Sequence, residues 1–472
     1  MSQELNELLN LLENSVTIHE GKVEIKDAAR LRATIHHLAE ISALGSGVKQ
    51  GMARYITRLI ALEAGAIPAS INELYMARGR GEAPTTFTVP AINLRTLTFD
   101  SARAVFRAAK CLDAGAFILE IARSEMGYTD QRPAEYVTSV LAAAVAEGYQ
   151  GPVFIQGDHF QVSAKKYAGA PEAELQAVRD LTKEAINAGF FNIDIDTSTL
   201  VDLSKESKAE QQTLNTGLSA MFTKLIRELE PKGVTISVGG EIGEVGGHNS
   251  TEEELRAYMD GYNAELEKTA PGAVGISKIS IQTGTSHGGV VLPDGSIAKV
   301  SVDFDTLRHL SQVACKSYRI GGAVQHGAST LPEDAFGNFV QYEAVEVHLA
   351  TNFQNMLFER LPADLKAEMY AYLDEKSAAE RKPDMTDEQF YYKTRKNVIG
   401  PFKAKTWGMP ADKRQEIGLA WEDQFTKLFR MLGAAGTRSL VEKFVNPVAV
   451  KPDLKYYLGE AAAAEDVSDL AD

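Results

Sequence analysis

Over the first 80 or so residues, apolar side chains return at helical spacing in ELNELLNLLEN, DAARLRATIHHLAEISAL and MARYITRLIALEAGAI, until ARGRGEAP breaks the pattern. This predicts a helical extension over residues 1–84. From about Thr85 short apolar runs alternate with amphipathic stretches, the texture of repeated βα units around a parallel sheet. Eight such runs follow one another: TFTVPAINL, AFILEIA, PVFIQGD, FFNIDID, VTISVGGE, ISKISIQT, YRIGGAVQ and AVEVHLA. Eight is the number that closes a (β/α)8 barrel. The rival doubly wound sheet would carry Gly-x-Gly-x-x-Gly after its first strand, and NLRTLTFDS has no such motif. The expected fold class is therefore α/β, a (β/α)8 TIM barrel over residues 85–360 with N-terminal and C-terminal helical extensions. Beyond Arg360 the strand-like runs stop, and residues 361–472 read as a helical extension rich in Lys and aromatics, ending in the acidic tail GEAAAAEDVSDLAD.

Composition narrows the class without changing this picture. Hydrophobic residues at 44% and charged residues at 24% are those of a globular protein. No run reaches about 18 apolar residues, and the N-terminus is acidic and amphipathic, so neither a membrane span nor a signal peptide is expected. Cys111 and Cys315 form no Cys-x-x-Cys pair, which argues against a disulfide framework and makes the cytoplasm the expected location. A net charge of −15 argues against nucleic acid as a partner. It does not exclude a small anionic substrate, which backbone N–H groups and one or two basic side chains can hold. The amphipathic extensions predict a homo-oligomer.

In a barrel of this kind, functional side chains collect where strands end. The third run ends in Gln156-Gly157-Asp158-His159, the fourth in Asp194-Ile195-Asp196, the fifth in Gly240-Glu241; Ser286-His287 follows the sixth and Gln325-His326 ends the seventh. His159, His287 and His326 thus follow three different strands. Three imidazoles with open positions suit a catalytic Zn²⁺. A single such His is more often a satisfied polar residue at a strand end, but the trio with Asp158 and Glu241 favours the metal. GGEIGEVGG, TGTSHGG and GGAVQHGAST are dense in glycine, as phosphate-cradling loops are, although tight turns alone also use glycine. Ser329 and Thr330 follow the seventh run and Thr351 the eighth, where barrel enzymes often bind phosphate.

QGDH, GGEIGEVGG, GTSHG and QHGAST stand in the same order and spacing as four landmarks of the class II fructose- and tagatose-bisphosphate aldolases, which residues 86–360 resemble. FNIDIDTSTLVDLS, VDFDTLRHLSQ and VPAINLRTL are similar to further segments of that family. The resemblance implies that His159, His287 and His326 hold a catalytic divalent metal, most readily Zn²⁺. It implies that Asp158 transfers the proton, and that Asp196 and Glu241 line a second, more buried metal position. The ion would polarise a ketose carbonyl, cleavage would fall between C3 and C4, and the same ion would stabilise the enediolate. Phosphate and substrate would contact Asn93, Gly288, Gly327, Ser329, Thr330, His348 and Thr351.

The chain also departs from the family pattern. Gln156 replaces the first His of His-x-Asp-His, Gly239 the first Glu of Glu-x-Glu, and Asn249 the loop acid; His348 stands where an Asn is usual. His248 or one of Glu252, Glu253 and Glu254 is a substitute for the loop acid, although those glutamates also read as an acidic helix start. Arg123, near a missing Ser, reads equally as an anion partner or a solvated loop residue. A metal-dependent epimerase of a sugar phosphate or uronate is the alternative activity, and a non-catalytic aldolase-like subunit a third. Arg395, Lys396 and Lys403 are weak candidates for a phosphate site; solvated faces are the simpler expectation.

Overall fold

The computed structural model describes residues 2–243, 247–284, 292, 301–329, 331–459 and 470. Its centre is a closed barrel of eight parallel strands: β1 Val89–Asn93, β2 Ile118–Ala122, β3 Gly151–Gln161, β4 Asn192–Asp196, β5 Ser237–Glu241, β6 Lys278–Ile281, β7 Ala323–Gln325 and β8 Glu346–Leu349. Sequential neighbours pair in parallel all the way round, and β8 closes on β1 with Glu346 opposite Val89. Seven of the strands lie within their apolar runs, and β3 extends past the third run at both ends. They read as continuous apolar runs because helices cover the outside and side chains fill the inside.

The barrel is irregular between β3 and β4, where the register jumps: Gly157 faces Ile193, but Phe160 faces Ile195. Two residues of β3, Asp158 and His159, therefore oppose a single residue of β4. His159 takes the left-handed backbone conformation, φ 40°. Successive residues of a regular strand point to opposite faces; a bulge with one extra residue re-aims a side chain. Both Asp158 and His159 are buried inside the barrel as a result.

The N-terminal extension is mainly helical, as its spacing predicts, but it also contains β-structure. Val16–His19 and Lys22–Ile25 form an antiparallel hairpin. Glu20 and Gly21 both have positive φ at its turn, which matches the twist of paired strands. Ala66–Ala69 runs parallel to the first residues of β3. Phe154 pairs with Ala69 on one side and with Ile118 of β2 on the other, so this strand sits on the β4 side, below where β4 begins. The Ile71 N–H donates to Asn192 Oδ1 there at 2.9 Å.

The C-terminal extension packs on the outer helices. Helix Ala411–Met431 lies against helix Thr98–Cys111. The indole N–H of fully buried Trp421 donates to the Phe353 carbonyl at 3.0 Å, and Phe425 packs on Phe353. Gly433 has φ 67°, and a Cβ there would stand 2.5 Å from the Thr86 carbonyl, so the chain can pass this point only as glycine. The expectation of solvated basic faces fails here. Arg395 is 8% exposed, and Lys403 bonds Glu135, which also lies within ion-pair distance of Arg54 in the N-terminal extension. Lys396 is half-buried over the Tyr128 ring. None of the described helices is long and apolar enough to cross a membrane.

Candidate active site

Two layers of polar side chains fill the barrel. The deeper one comes from the even strands: Glu120 of β2, Asp194 of β4, Lys278 of β6 and Glu346 of β8. Alternate strands supply such layers in barrels of this kind, usually with bulky aliphatic residues. Here Lys278, 1% exposed, donates to Asp194 Oδ2 and Gln156 Oε1 at 2.8 Å each, and to Glu346. Gln156 donates to Glu120 at 2.8 Å and to Glu346 at 2.9 Å. The Tyr75 hydroxyl, from the N-terminal extension, donates to the other oxygen of Glu346.

The charges of this layer are set by burial and pairing. Burial pushes Glu120 up to about 8 and Asp194 up to about 6. In Glu346 the effect of burial is overcome by Lys278 and His348, which hold its carboxyl at about 2. Burial would lower Lys278, but Asp194 and Glu346 overcome it and keep the ammonium charged. Sequence reasoning passed over Glu120, Lys278 and Glu346. The available signal was a charged residue inside each of AFILEIA, ISKISIQT and AVEVHLA, where both strand faces are buried.

Above this layer stand the predicted site residues. His159 Nε2 is 2.9 Å from His326 Nδ1. On its other side His159 Nδ1 lies 3.2 Å from Glu241 and 3.4 Å from Asp196. The His326 and His348 rings lie with centroids 4.0 Å apart, tilted by 32°. His348 Nδ1 is 3.0 Å from Glu120 and 3.2 Å from Asp158, and its Nε2 is 2.7 Å from Glu346. Asn93 donates to Asp158 Oδ2 at 3.1 Å and to Glu125 at 2.9 Å. His287, Gly288 and Thr330 lie outside the described residues. Sequence reasoning assigned His348 to substrate; the structure sets it in the same donor cluster as Asp158 and His326.

This donor set fits a divalent cation. His159, Glu241 and His326 form one group able to hold an ion, and Asp158, His326 and His348 another. Asp158 Oδ1 and both ring nitrogens of His348 are buried without a hydrogen bond, although carboxylate oxygens and imidazole nitrogens stand close together. Separations near 3 Å without hydrogen-bond geometry are those between neighbouring donors lying about 2.0–2.2 Å from one ion. Electrostatics agrees: burial raises Glu241 to about 7, with Asp196 adding to the effect. Burial would raise Asp158 as well, but His159 and His348 hold it well below the usual range.

Around the cluster, the substitute residues have other partners. The Asn249 amide donates to Asp303 at 2.9 Å, and Asp303 caps the helix Phe304–Tyr318. His248 is half-exposed, 3.5 Å from Glu254. Glu254 forms the capping box of the helix Glu252–Thr269 with Thr251, so the three glutamates are a helix start. Arg123, 1% exposed, is neither anion partner nor solvated: it pairs with Glu174 at 2.6 Å and donates to the Gln161 carbonyl. Ser329 Oγ accepts from the Ala350 N–H at 2.6 Å, and Thr351 opens the next helix. Ser329, Gly327 and Thr351 thus stand at one rim of the barrel, where the Gly327 backbone has φ 70°.

Fold and site together define a (β/α)8 barrel with a cluster of residues able to hold a cation at the C-terminal ends of its strands. The family model of class II fructose-bisphosphate aldolases matches residues 83–405, and the chain belongs to that family. No curated protein matches it significantly by sequence. Among solved structures it is similar to the fructuronate-tagaturonate epimerase UxaE of Cohnella laeviribosi, with TM-score 0.55 and 12% identity over 89% of this chain and 90% of that one. It is also similar to the YdjI aldolase of Escherichia coli K12 (TM-score 0.45, 11% identity, 78% and 99% covered). The fructose-bisphosphate aldolase of Campylobacter jejuni gives TM-score 0.45 and 16% identity, with 78% and 94% covered.

Proposed function

We propose that this protein carries out reversible aldol cleavage of an anionic ketose, a sugar phosphate or a uronate, and returns the epimerised ketose instead of releasing two fragments. Family membership supports the aldol chemistry. A divalent ion, most readily Zn²⁺, held by His159, His287 and His326 with Glu241 and Asp196 beside them, would polarise the ketose carbonyl when bound. Asp158 takes up and returns the proton of the hydroxyl on the carbon whose bond is cut. Asn93 and His348 orient its carboxylate. Gly327, Ser329 and Thr351 offer N–H and hydroxyl donors to the anionic end of the sugar.

The observation that carries the epimerase reading is Asn249. Releasing both fragments requires a proton donor at the carbon left behind by cleavage. At the loop position where the resemblance expects an acid, this chain has an amide tied to Asp303. A fragment that is not protonated adds back to the aldehyde, and addition to its other face gives the epimer. The fold shared with an epimerase through most of both chains accords with this. Family membership alone favours simple cleavage, which is the second reading.

The two readings separate in one experiment: bound metal is measured by elemental analysis, and a panel of ketose bisphosphates, monophosphates and uronates is assayed for triose release against isomer formation. We expect stoichiometric divalent metal and one isomeric product. Stoichiometric triose release would establish the aldolase, and absence of metal would remove both readings.

A further inference from the structure

Arg58, Arg78 and Arg395 are buried, and among the described residues none of them has a carboxylate partner. Two of them turn their terminal N–H groups to the main chain. Arg58 donates to the carbonyls of Ala188 and Val450, and Arg78 to those of Phe87, Glu343 and Ala344. Arg395 differs, for its one acceptor is the side-chain oxygen of Asn355. Its guanidinium otherwise meets aromatic faces, 3.9 Å from Tyr392 and 5.4 Å from Phe358; its Nε–H has no partner, as in Arg58 and Arg78, but it alone of the three donates to no main-chain carbonyl. A buried charge without a counter-ion is costly unless something anionic reaches it.

Its position is on the catalytic face. Asn355 lies on the helix Thr351–Arg360 that follows β8. On the same helix Gln354 accepts from Arg95 at 3.3 Å. Arg95 is paired at 2.6 Å with Glu125, which Asn93 links to Asp158. Arg95 and Arg395 bond neighbouring residues of this helix, Gln354 and Asn355, and so share one corner of the barrel mouth; burial chiefly lowers the Arg395 pKa, with Tyr392, Tyr370 and Glu359 opposing it and Arg95 adding to it. The Arg95 charge is already balanced by Glu125, and the Glu359 carboxylate that acts on Arg395 from farther away is paired with Arg360 at 3.3 Å, which leaves Arg395 without a direct counter-ion among the described residues. One cation matches a monoanion, and a planar guanidinium matches a carboxylate in shape.

Building on the reading of the site as one that handles an anionic ketose, we propose that Arg395 binds a carboxylate of the substrate and so selects ketose acids over neutral ketoses. Calorimetric titration of the metal-loaded protein with D-fructuronate, D-fructose and D-fructose 6-phosphate tests this. Fructuronate should bind about 10- to 100-fold more tightly than fructose, the worth of a buried charge-assisted hydrogen bond. Arg395→Met should bring the two sugars to within about threefold while fructose affinity stays unchanged. Arg395→Lys, which keeps the charge and loses the fork, should retain part of the preference.

Equal affinities in the native protein, or an unchanged preference in Arg395→Met, would overturn the assignment. Tighter binding of fructose 6-phosphate than of fructuronate would overturn the carboxylate in favour of a phosphate. If Arg395→Met does not fold, Arg395→Lys decides alone, and an undiminished preference there overturns it. Binding is read separately from turnover: Arg395-dependent fructuronate binding without any isomer would uphold this inference and sink the proposed reaction.

Discussion

At the scale of the residue, the bulge in β3 sets the chemistry, because it turns two consecutive side chains into the barrel. Asp158 is then held by Asn93 and His348 while His159 faces His326, Glu241 and Asp196. If the imidazoles are ligands, alanine at His159, His287 or His326 should abolish bound metal and activity with little change in far-ultraviolet circular dichroism. Retained stoichiometric metal in all three variants would remove the assignment. Asp158→Asn should keep the metal and lower turnover by about two to four orders of magnitude; unchanged turnover would take Asp158 out of the mechanism. In the deeper layer, Lys278→Met would leave Asp194 and Glu346 buried without their cation. Removing one partner of a buried pair costs about 3–5 kcal/mol, to be read in denaturant unfolding. The cluster of Asp158, His159 and His326 was legible in the sequence because His and Asp at strand ends are uncommon there. The charged layer was legible only as single residues out of place, since their mutual neutralisation requires four strands at once.

At the scale of the element, the extensions are joined to the barrel by buried charge as well as by apolar contact. Glu135, on the helix Pro133–Glu147 that follows β2, meets Lys403 from one extension at 2.8 Å and Arg54 from the other at 3.9 Å. Burial raises its carboxyl from 4.5 to about 7, with Lys403 and Arg54 only partly opposing. The folded state therefore holds this proton over a range where the unfolded chain has lost it. Stability from this group is fully present below about pH 4.5 and falls as pH rises to about 7, by on the order of 3 kcal/mol. Glu135→Gln should flatten the melting temperature across that window; an unaltered pH dependence would show that the carboxylate is ionised throughout. The eight strands were readable from their apolar runs. The N-terminal hairpin was not, because VTIHEGKVEI is short and lies between helical stretches that dominate the local periodicity.

At the scale of the whole molecule, one large apolar core runs from Leu8 and Leu12 through the barrel helices to Trp421 and Tyr457, and a second, smaller one joins Ile71 of the N-terminal extension, Val89 and Phe154 of the barrel and Val441 of the C-terminal extension. The protein should unfold in one cooperative transition, with the extensions melting together with the barrel. Calorimetry with two resolved transitions would contradict this. Chelation should lower the midpoint, because an ion that binds only the native state stabilises it by about 4 kcal/mol at a thousandfold excess over its Kd; an unchanged midpoint would mean that the donor cluster holds no ion.

The sequence by itself determined the barrel, since eight apolar runs with helical stretches between them have few other ways to bury both strand faces and remain unknotted. It also determined which residue types stand at the strand ends, and through them the class of chemistry. Only the tertiary structure decided which of these groups face one another. Arg123 is spent on Glu174, Asn249 on Asp303, and Arg395 alone of the buried arginines is left with one amide oxygen. The reason is physical: burial and pairing determine whether a charge is structural or available for a ligand, and both depend on residues far apart in the chain.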